Sequence, residues 1–175
     1  MPSMIGAPAD PAAVTFSLAD LVREVVAPLR EFANHRSVGI ETAIDAELPE
    51  RLAGHPECLR HVLTMLASPA LRTTTCGSVV LVVCADGTDE QPLVRFEVAD
   101  TGPGTQPAVV AAIWSLVPRD GLAAEPHVIA ANLIKILGGK LRVSSEPSRG
   151  SRCWFTLPLK ATISQTFRVP ADELR

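Results

Sequence analysis

The chain has 175 residues, with 47% hydrophobic residues, 20% charged residues and a formal net charge of −3. This composition is typical of one packed globular domain and excludes an intrinsically disordered chain. The small net charge, without a cluster of Lys and Arg, argues against a nucleic-acid partner, because such binding depends on neutralising phosphates. No apolar run reaches the roughly 18 residues of a membrane span and no secretory signal is recognisable, so we expect a cytoplasmic protein without direct membrane insertion.

The first helix is predicted to begin at Ser17. Residues 1–14 are small, Pro-rich and aperiodic, which is typical of a flexible tail. Ser17 and Asp20 then form a capping box, and apolar residues recur at helical spacing as far as Phe32. Pro28 lies inside this helix and predicts a kink or an early end.

A strand, a loop and a second helix are predicted next. Residues 38–45 alternate like a strand, and the segment ELPERLAGHPE is predicted as a loop. Pro56 suits the first position of a helix, because its fixed φ is helical and its missing N–H is not needed there. This helix has a helically spaced apolar stripe made of Leu59, Val62, Leu63 and Leu66.

The rest of the chain is predicted to contain four strands and two helices. The strands are residues 78–85, 93–100, 140–146 and 151–159. The helices are residues 108–117 and 126–137, and the second has Pro126 at its start and a Gly-Gly pair at its end. From about residue 161 the pattern fades, and a second tail is predicted.

The order of elements predicts an α+β fold. Adjacent strands with tight connections favour antiparallel pairs, and the amphipathic helices must then cover one face of the sheet. We therefore expect a two-layer α/β sandwich in residues 15–160, between tails at 1–14 and 161–175.

The four cysteines are widely spaced and include no C-x-x-C pair. This spacing favours buried, reduced thiols of a cytosolic protein over a metal site. They are Cys58, Cys76, Cys84 and Cys153.

The segments DTGPG (100–104) and ILGGKLRVSSEPSRGSRCWFTLPL (136–159) carry a family resemblance. In their order and with the flanking strands, they resemble the catalytic, ATP-binding domain of sensor histidine kinases. That domain belongs to an ATPase superfamily that also includes gyrase, heat-shock chaperones and mismatch-repair ATPases. The resemblance runs from about Phe16 to Leu159 and implies a Bergerat-type fold with a mixed, mostly antiparallel sheet.

The resemblance implies a magnesium and phosphate motif on the second helix, close to N-x-x-x-N-A-x-K-F-T. Aligned on ALRTT, the two Asn positions are Met65 and Pro69, and the basic position is Arg72. Mg²⁺ demands oxygen ligands, which neither a thioether nor a pyrrolidine ring supplies. Pro69 is also expected to break the last helical turn. The Mg²⁺-nucleotide site is therefore predicted to be degraded here.

The adenine-binding motif is better preserved. In the family, the Asp of DTGPG accepts a hydrogen bond from the adenine amino group, and its glycines let the backbone turn around the base. Asp100, Gly102 and Gly104 match these positions. The resemblance thus implies a nucleotide-binding remnant made of Asp100, Gly102, Gly104, Arg72, Thr74 and Ser151.

A second glycine motif, G-x-G-L-A-I-A, is expected just before the last helix. Ala124 and Pro126 stand where its two glycines should be. Those glycines let backbone amides at a helix N-terminus approach the phosphates, and Pro126 has no amide hydrogen. The lid segment is also shortened, and Trp114 replaces the usual Phe.

Histidine phosphotransfer finds no support in the sequence. The family needs a phospho-accepting His on a helical hairpin, and the residues before the first helix are too few for one. The four histidines are interpreted as surface or capping residues; they are His35, His55, His61 and His127. No nucleophile–base pair is recognisable, so no catalytic or metal-ligating residue is predicted.

Three functions remain open from the sequence. The first is a degenerate histidine-kinase-type domain without a cofactor, which binds a histidine kinase, a response regulator or another signalling protein, or forms a homodimer. The second is a working ATP- and Mg²⁺-binding half of a kinase, with Thr64 or Ser68 as substitute metal ligands and Arg72 on the phosphates. The third is a small-molecule sensor that uses the former adenine pocket.

Overall fold

A computed structural model describes residues 13–88, 90–115, 125–158 and 160–161. The helices within these ranges are α1 (Leu18–Asn34), α2 (Pro56–Thr73), α3 (Pro107–Ser115) and α4 (Pro126–Ile136). The strands are β1 (Val14–Ser17), β2 (Val38–Ile44), β3 (Arg51–Gly54), β4 (Gly77–Thr88), β5 (Gln91–Asp100), β6 (Arg142–Glu146), β7 (Gly150–Leu157) and β8 (Lys160–Ala161).

The main sheet has five strands in the order β2-β4-β5-β7-β6. β2 runs parallel to β4, and the other neighbours are antiparallel. Alternate residues of β4 (Val79, Leu81 and Val83) are at most 1% exposed because they point toward the helices. Their neighbours, such as Val80, are only partly buried. The predicted two-layer α+β sandwich with a mixed, mostly antiparallel sheet is confirmed.

A smaller sheet contradicts the predicted loop and includes one residue from each of the two predicted tails. β3 lies within the segment predicted as a loop, and it pairs with β1 on one side and β8 on the other. Val14 pairs with Gly54, and Ala161 pairs with Leu52. These strands are two to four residues long and joined only by distant pairing, so local alternation could not reveal them. Residues 1–12 and 162–175 lie outside the described part.

Both internal prolines lie inside continuous helices. α1 runs past Pro28 to Asn34, and α2 runs past Pro69 to Thr73, so the predicted break at Pro69 is wrong. Beyond Pro69, Ala70 and Leu71 are buried against the core. This burial holds the last turn in place, since tertiary packing outweighs the intrinsic disfavour of proline in a helix.

The predicted start of α1 is confirmed in detail. The Ser17 side chain accepts a hydrogen bond from the backbone N–H of Asp20 at 3.3 Å. Leu21, Val22 and Val25 of the same helix are at most 3% exposed. The capping bond therefore fixes where α1 begins, and the buried stripe packs α1 in the helical layer against the sheet.

Candidate functional site

A cavity of about 1160 Å³ opens at the C-terminal end of β5. α2, the segment after β5, α3, the start of α4 and the β6–β7 turn form its walls. Its described lining includes eight apolar or proline positions beside several polar groups. The apolar members are Pro69, Ala70, Pro103, Pro107, Val109, Val110, Ala111 and Pro147, of which Pro147 lies on the β6–β7 turn.

Asp100 is one of two acidic residues, with Glu125, in the described lining of this cavity. Its Oδ1 accepts a hydrogen bond from the Gly102 N–H at 2.8 Å. Burial raises the pKa of the Asp100 carboxyl, while hydrogen bonds from the backbone of Gly102 and Ser151 oppose that rise. The carboxyl is therefore fixed in position and sits in a partly desolvated environment, where it can accept a hydrogen bond from a ligand.

The two glycines of DTGPG are needed for close packing. A Cβ on Gly102 would stand 2.9 Å from both Asp100 Oδ1 and Thr74 Oγ1. Gly104 has φ +93°, and a Cβ there would stand 2.9 Å from Ser145 Oγ. Thr74 is fully buried and donates its hydroxyl to the Ala70 carbonyl at 2.7 Å, so it supports the loop and does not line the cavity.

Three hydroxyl groups meet beside Asp100. Ser151 Oγ lies 2.8 Å from Thr105 Oγ1 and 3.2 Å from Ser145 Oγ. The backbone N–H of Thr105 donates to Ser145 Oγ at 2.8 Å. All three residues line the cavity, but only Ser151 was predicted from sequence. Ser145 is a polar residue within a strand, and that signal could have indicated it.

The α2 wall of the cavity offers a single side-chain oxygen. Pro69, Ala70 and Thr73 form this wall, and Thr73 Oγ1 lies 2.9 Å from the Pro69 carbonyl oxygen, to which it donates. Met65 is absent from the described lining and packs against the hydrophobic core. The two positions predicted to be degraded therefore differ in placement: Pro69 lines the cavity, and Met65 is absent from its described lining.

The proposed substitute ligands lie elsewhere in the structure. Thr64 donates its hydroxyl to the Arg60 carbonyl at 2.8 Å. Thr64, Ser68 and Arg72 are all absent from the described lining, and Arg72 is exposed. Pro126 begins α4 as predicted, whereas Ala124 lies outside the described residues.

His127 was interpreted as a surface or capping residue, but it lines the cavity next to Glu125. Burial lowers the pKa of His127, and the Glu125 charge opposes that change. Of the other histidines, His35 and His55 occupy cap positions of helices, and His61 is exposed. Sequence alone could not indicate His127, because nothing local shows which turn of α4 faces the cavity.

The half-buried imidazole of His127 predicts a pH-dependent free energy of unfolding. An unfolded His has a pKa of about 6.5, and His127 titrates below that value in the folded chain. Between the two values the unfolded chain binds more protons, so stability rises with pH and falls on acidification. We expect His127→Gln to reduce this slope in urea unfolding, whereas His61→Gln should keep it; equal slopes in all three proteins would contradict the assignment.

The cysteines give no metal site in the described ranges. All four thiols are free; Cys153 is buried, Cys58 and Cys84 are partly buried, and Cys76 is exposed. The prediction of buried thiols is therefore wrong for Cys76. Burial raises the pKa of Cys153 to about 12, which makes that thiol unreactive. No group of three or more His, Cys, Asp and Glu side chains there could hold a metal ion.

The described chain combines a two-layer sandwich with an Asp–Gly loop beside a cavity at the end of β5. Residues 54–161 match the family described as histidine kinase-, DNA gyrase B-, and HSP90-like ATPase. The chain belongs to this family. No described helix is long and apolar enough to cross a membrane.

Curated relatives are sensor kinases. The chain is 29% identical over 174 residues to the sensor protein GacS of Pseudomonas syringae pv. syringae, covering 93% of this chain and 19% of that protein. It is 35% identical over 151 residues to the sensor protein TorS of Escherichia coli, covering 80% of this chain and 16% of that protein. The chain therefore spans under a fifth of the length of these two relatives.

Solved structures show the same fold. Full-length ShkA in complex with AMPPNP is similar with a TM-score of 0.72 and 26% identity, over 90% of this chain and 33% of that chain. The catalytic domain of the histidine kinase ThkA is similar with a TM-score of 0.65 and 19% identity, over 83% of this chain and 96% of that chain. This chain is thus a histidine kinase-type ATPase domain.

Proposed function

We propose that this chain is a degenerate histidine kinase-type domain that has lost Mg²⁺-nucleotide chemistry and acts as a protein-binding, regulatory module. The charge of the cavity carries this proposal. None of its described lining residues is Lys or Arg, while Asp100 and Glu125 both contribute carboxyl groups. A triphosphate placed there would lack a cationic partner and would face like charges.

The α2 wall supports the same conclusion for the metal. Mg²⁺ needs nearly octahedral oxygen ligands, and Pro69 and Ala70 present only carbon atoms from their side chains. Each lost charge-assisted contact weakens binding by about 1.5–3 kcal/mol. Losing two or three of them lowers affinity on the order of 10³-fold. Phosphoryl transfer suffers further, because it depends on positioning and metal-assisted charge stabilisation.

Family membership supports a role in two-component signalling. The relatives' names identify them as sensor proteins. A domain of this type can contact other signalling domains through its surface without ATP chemistry, because function depends on sites and not on the fold alone. The partner we propose is a histidine kinase, a response regulator or another signalling protein. Such a module would act by blocking a binding surface of its partner or by orienting the partner, with no phosphoryl transfer of its own.

Calorimetric titration with ATP and ADP, each with and without Mg²⁺, tests the loss of nucleotide chemistry. We expect no binding heat and no thermal stabilisation at millimolar nucleotide, since the cavity has no described cation to receive phosphates. Mg²⁺-dependent binding in the micromolar range that disappears in Asp100→Ala would contradict the proposal and would favour an active kinase half.

A second candidate function rests on the preserved Asp100 site. Asp100 and the three hydroxyl groups beside it face a large, mostly apolar cavity. These groups suit a small planar ligand that carries hydrogen-bond donors and no phosphate. Adenosine or adenine is a direct probe: binding without Mg²⁺ that is lost in Asp100→Ala supports a small-molecule sensor, and absence of binding leaves the protein-binding role alone.

A further inference from the structure

The main sheet has a second face that no described helix covers. We call it the open sheet face; it consists of Ala43, Val80, Val82, Cys84, Arg95, Glu97, Ala99, Arg142, Ser144, Arg152, Trp154 and Thr156. These residues are offset by one from the buried ones and lie side by side through the strand register. For example, Glu97 stands opposite Val82 on one side and Trp154 on the other.

A fixed ion-pair cluster lies at the centre of the open sheet face. The Glu97 side chain is only 11% exposed, and each of its oxygens binds one arginine. Arg95 Nη2 lies 2.6 Å from Oε2, and Arg152 Nε lies 2.7 Å from Oε1. The Arg95 guanidinium also stacks over the Trp154 ring at 5.2 Å from its centroid. The two arginines are therefore held in defined positions.

Positive charge remains unpaired on the β7–β6 half. Arg152 uses only Nε for Glu97, so its two terminal nitrogens have no partner among the described residues, and its side chain is 59% exposed. Arg142 stands directly opposite Trp154, is exposed and makes no ion pair within the described ranges. The centre of the open sheet face thus carries Arg95, Arg142 and Arg152 beside one nearly buried carboxylate, an excess of two positive charges there.

The other half of the open sheet face is apolar. Val80 and Val82 on β4 are partly buried, and Ala43 on β2 is exposed beside them. Acidic residues lie at the margins of this face: Glu41 opposite Val80 on β2, Asp86 opposite Leu93 at the far end of β4, and Glu146 at the end of β6, where it pairs with Arg149. The centre of the open sheet face therefore changes from apolar to basic across the strands from β4 to β6, in a chain whose overall charge is negative.

We propose that the open sheet face binds a partner protein through a segment with an apolar half and an acidic half. The apolar half packs on Val80 and Val82, and the acidic half places carboxylates on Arg152 and Arg142. A preoriented guanidinium with two unpaired nitrogens matches a carboxylate, and Arg and Trp are enriched at interface centres. This inference rests on the proposed protein-binding function and names the surface that performs it.

A protein partner fits these observations better than an anionic membrane. A membrane is recognised by flexible basic side chains spread over a surface, together with inserted apolar groups. Here Arg95 and Arg152 are held by Glu97, which makes the arrangement directional. Directional, fixed donors give selectivity for one spacing of carboxylates, and a protein segment supplies such a spacing.

The test measures fluorescence anisotropy of a labelled peptide titrated with the full chain. The peptide has Leu and Val in one half and Glu and Asp in the other; two further peptides of equal length carry Gln and Asn, or Lys, in place of the acids. We expect binding of the acidic peptide alone, weakened by added salt. Arg142→Gln and Arg152→Gln should each lower its affinity about fivefold.

Arg30→Gln is the matched control, because Arg30 is an exposed residue of α1 in the helical layer and its loss changes the net charge equally. It should leave the peptide affinity unchanged. Equal binding of the three peptides, an unchanged affinity in both open-face variants, or binding to phosphatidylglycerol vesicles without binding to the acidic peptide would overturn the proposal. The nucleotide titration tests the loss of nucleotide binding separately from peptide binding. A result against the open sheet face can therefore be distinguished from a result against the proposed function.

Discussion

Gly150→Ala is expected to lower the free energy of unfolding by at least about 3 kcal/mol. Gly150 begins β7 with φ +101°, a conformation that L side chains rarely adopt. A Cβ at this position would overlap the backbone carbonyl oxygen of Asp100, at the end of the neighbouring strand. Because both atoms belong to paired backbones, the clash cannot be relieved by a side-chain rotation.

Gly138→Ala is the matched control for Gly150→Ala. Gly138 also has a positive φ, +86°, but a Cβ there meets nothing within 4 Å. Its replacement carries only the conformational penalty, about 1 kcal/mol. Urea unfolding of the two variants separates the steric effect from the backbone effect. Equal losses of stability would show that β7 can shift away from Asp100 without penalty, which the register of the two strands does not predict.

The clash at Gly150 also has a consequence for the candidate site. The carboxyl of Asp100 receives a backbone hydrogen bond from Ser151, the residue after Gly150. Moving the start of β7 would remove this bond and displace Ser151 from Thr105 and Ser145. Any ligand of the Asp100 cavity should therefore bind less tightly to Gly150→Ala than to Gly138→Ala.

Pro69→Asn is expected to raise the Mg²⁺-dependent affinity for ATP about tenfold relative to Pro69→Ala. Both replacements restore the backbone N–H that proline lacks, and α2 already continues through this position. Only Asn adds an amide oxygen to the cavity wall, where Mg²⁺ would need it. Titration followed by NMR, with Mg²⁺ and with EDTA, measures this difference.

The same pair of variants tests the stability argument. Each should raise the free energy of unfolding by about 1–3 kcal/mol, because an interior proline disfavours a helix by about 3 kcal/mol and part of that is offset in the unfolded chain. The gain should not depend on nucleotide. If Asn and Ala bind Mg²⁺-ATP equally, the missing metal ligand at position 69 is not what limits nucleotide binding.

Most of the fold could be predicted from the sequence, because its main elements are locally encoded. The cap at Ser17, the apolar stripes of α1 and α2 and the alternation in β4 each specify an element within a few residues. The small sheet could not be predicted, because β1, β3 and β8 are too short for a period, and β1 and β8, near the two ends of the described chain, each pair with the distant β3. The continuity of α2 beyond Pro69 depends on burial of Ala70 and Leu71 by other elements.

The candidate site also has features that the sequence encodes locally and features that depend on tertiary packing. By itself the sequence determined the identity of the fold, the Asp–Gly loop at residues 100–104 and the presence of Met65 and Pro69 at the two positions that the resemblance aligns with Asn. Only the tertiary structure decided which groups share the cavity: Thr105, Ser145 and His127 line it together with Asp100, and Arg72 is absent from its described lining. The physical reason is that a motif encodes local geometry, whereas the composition of a cavity wall depends on residues far apart in sequence that packing brings together.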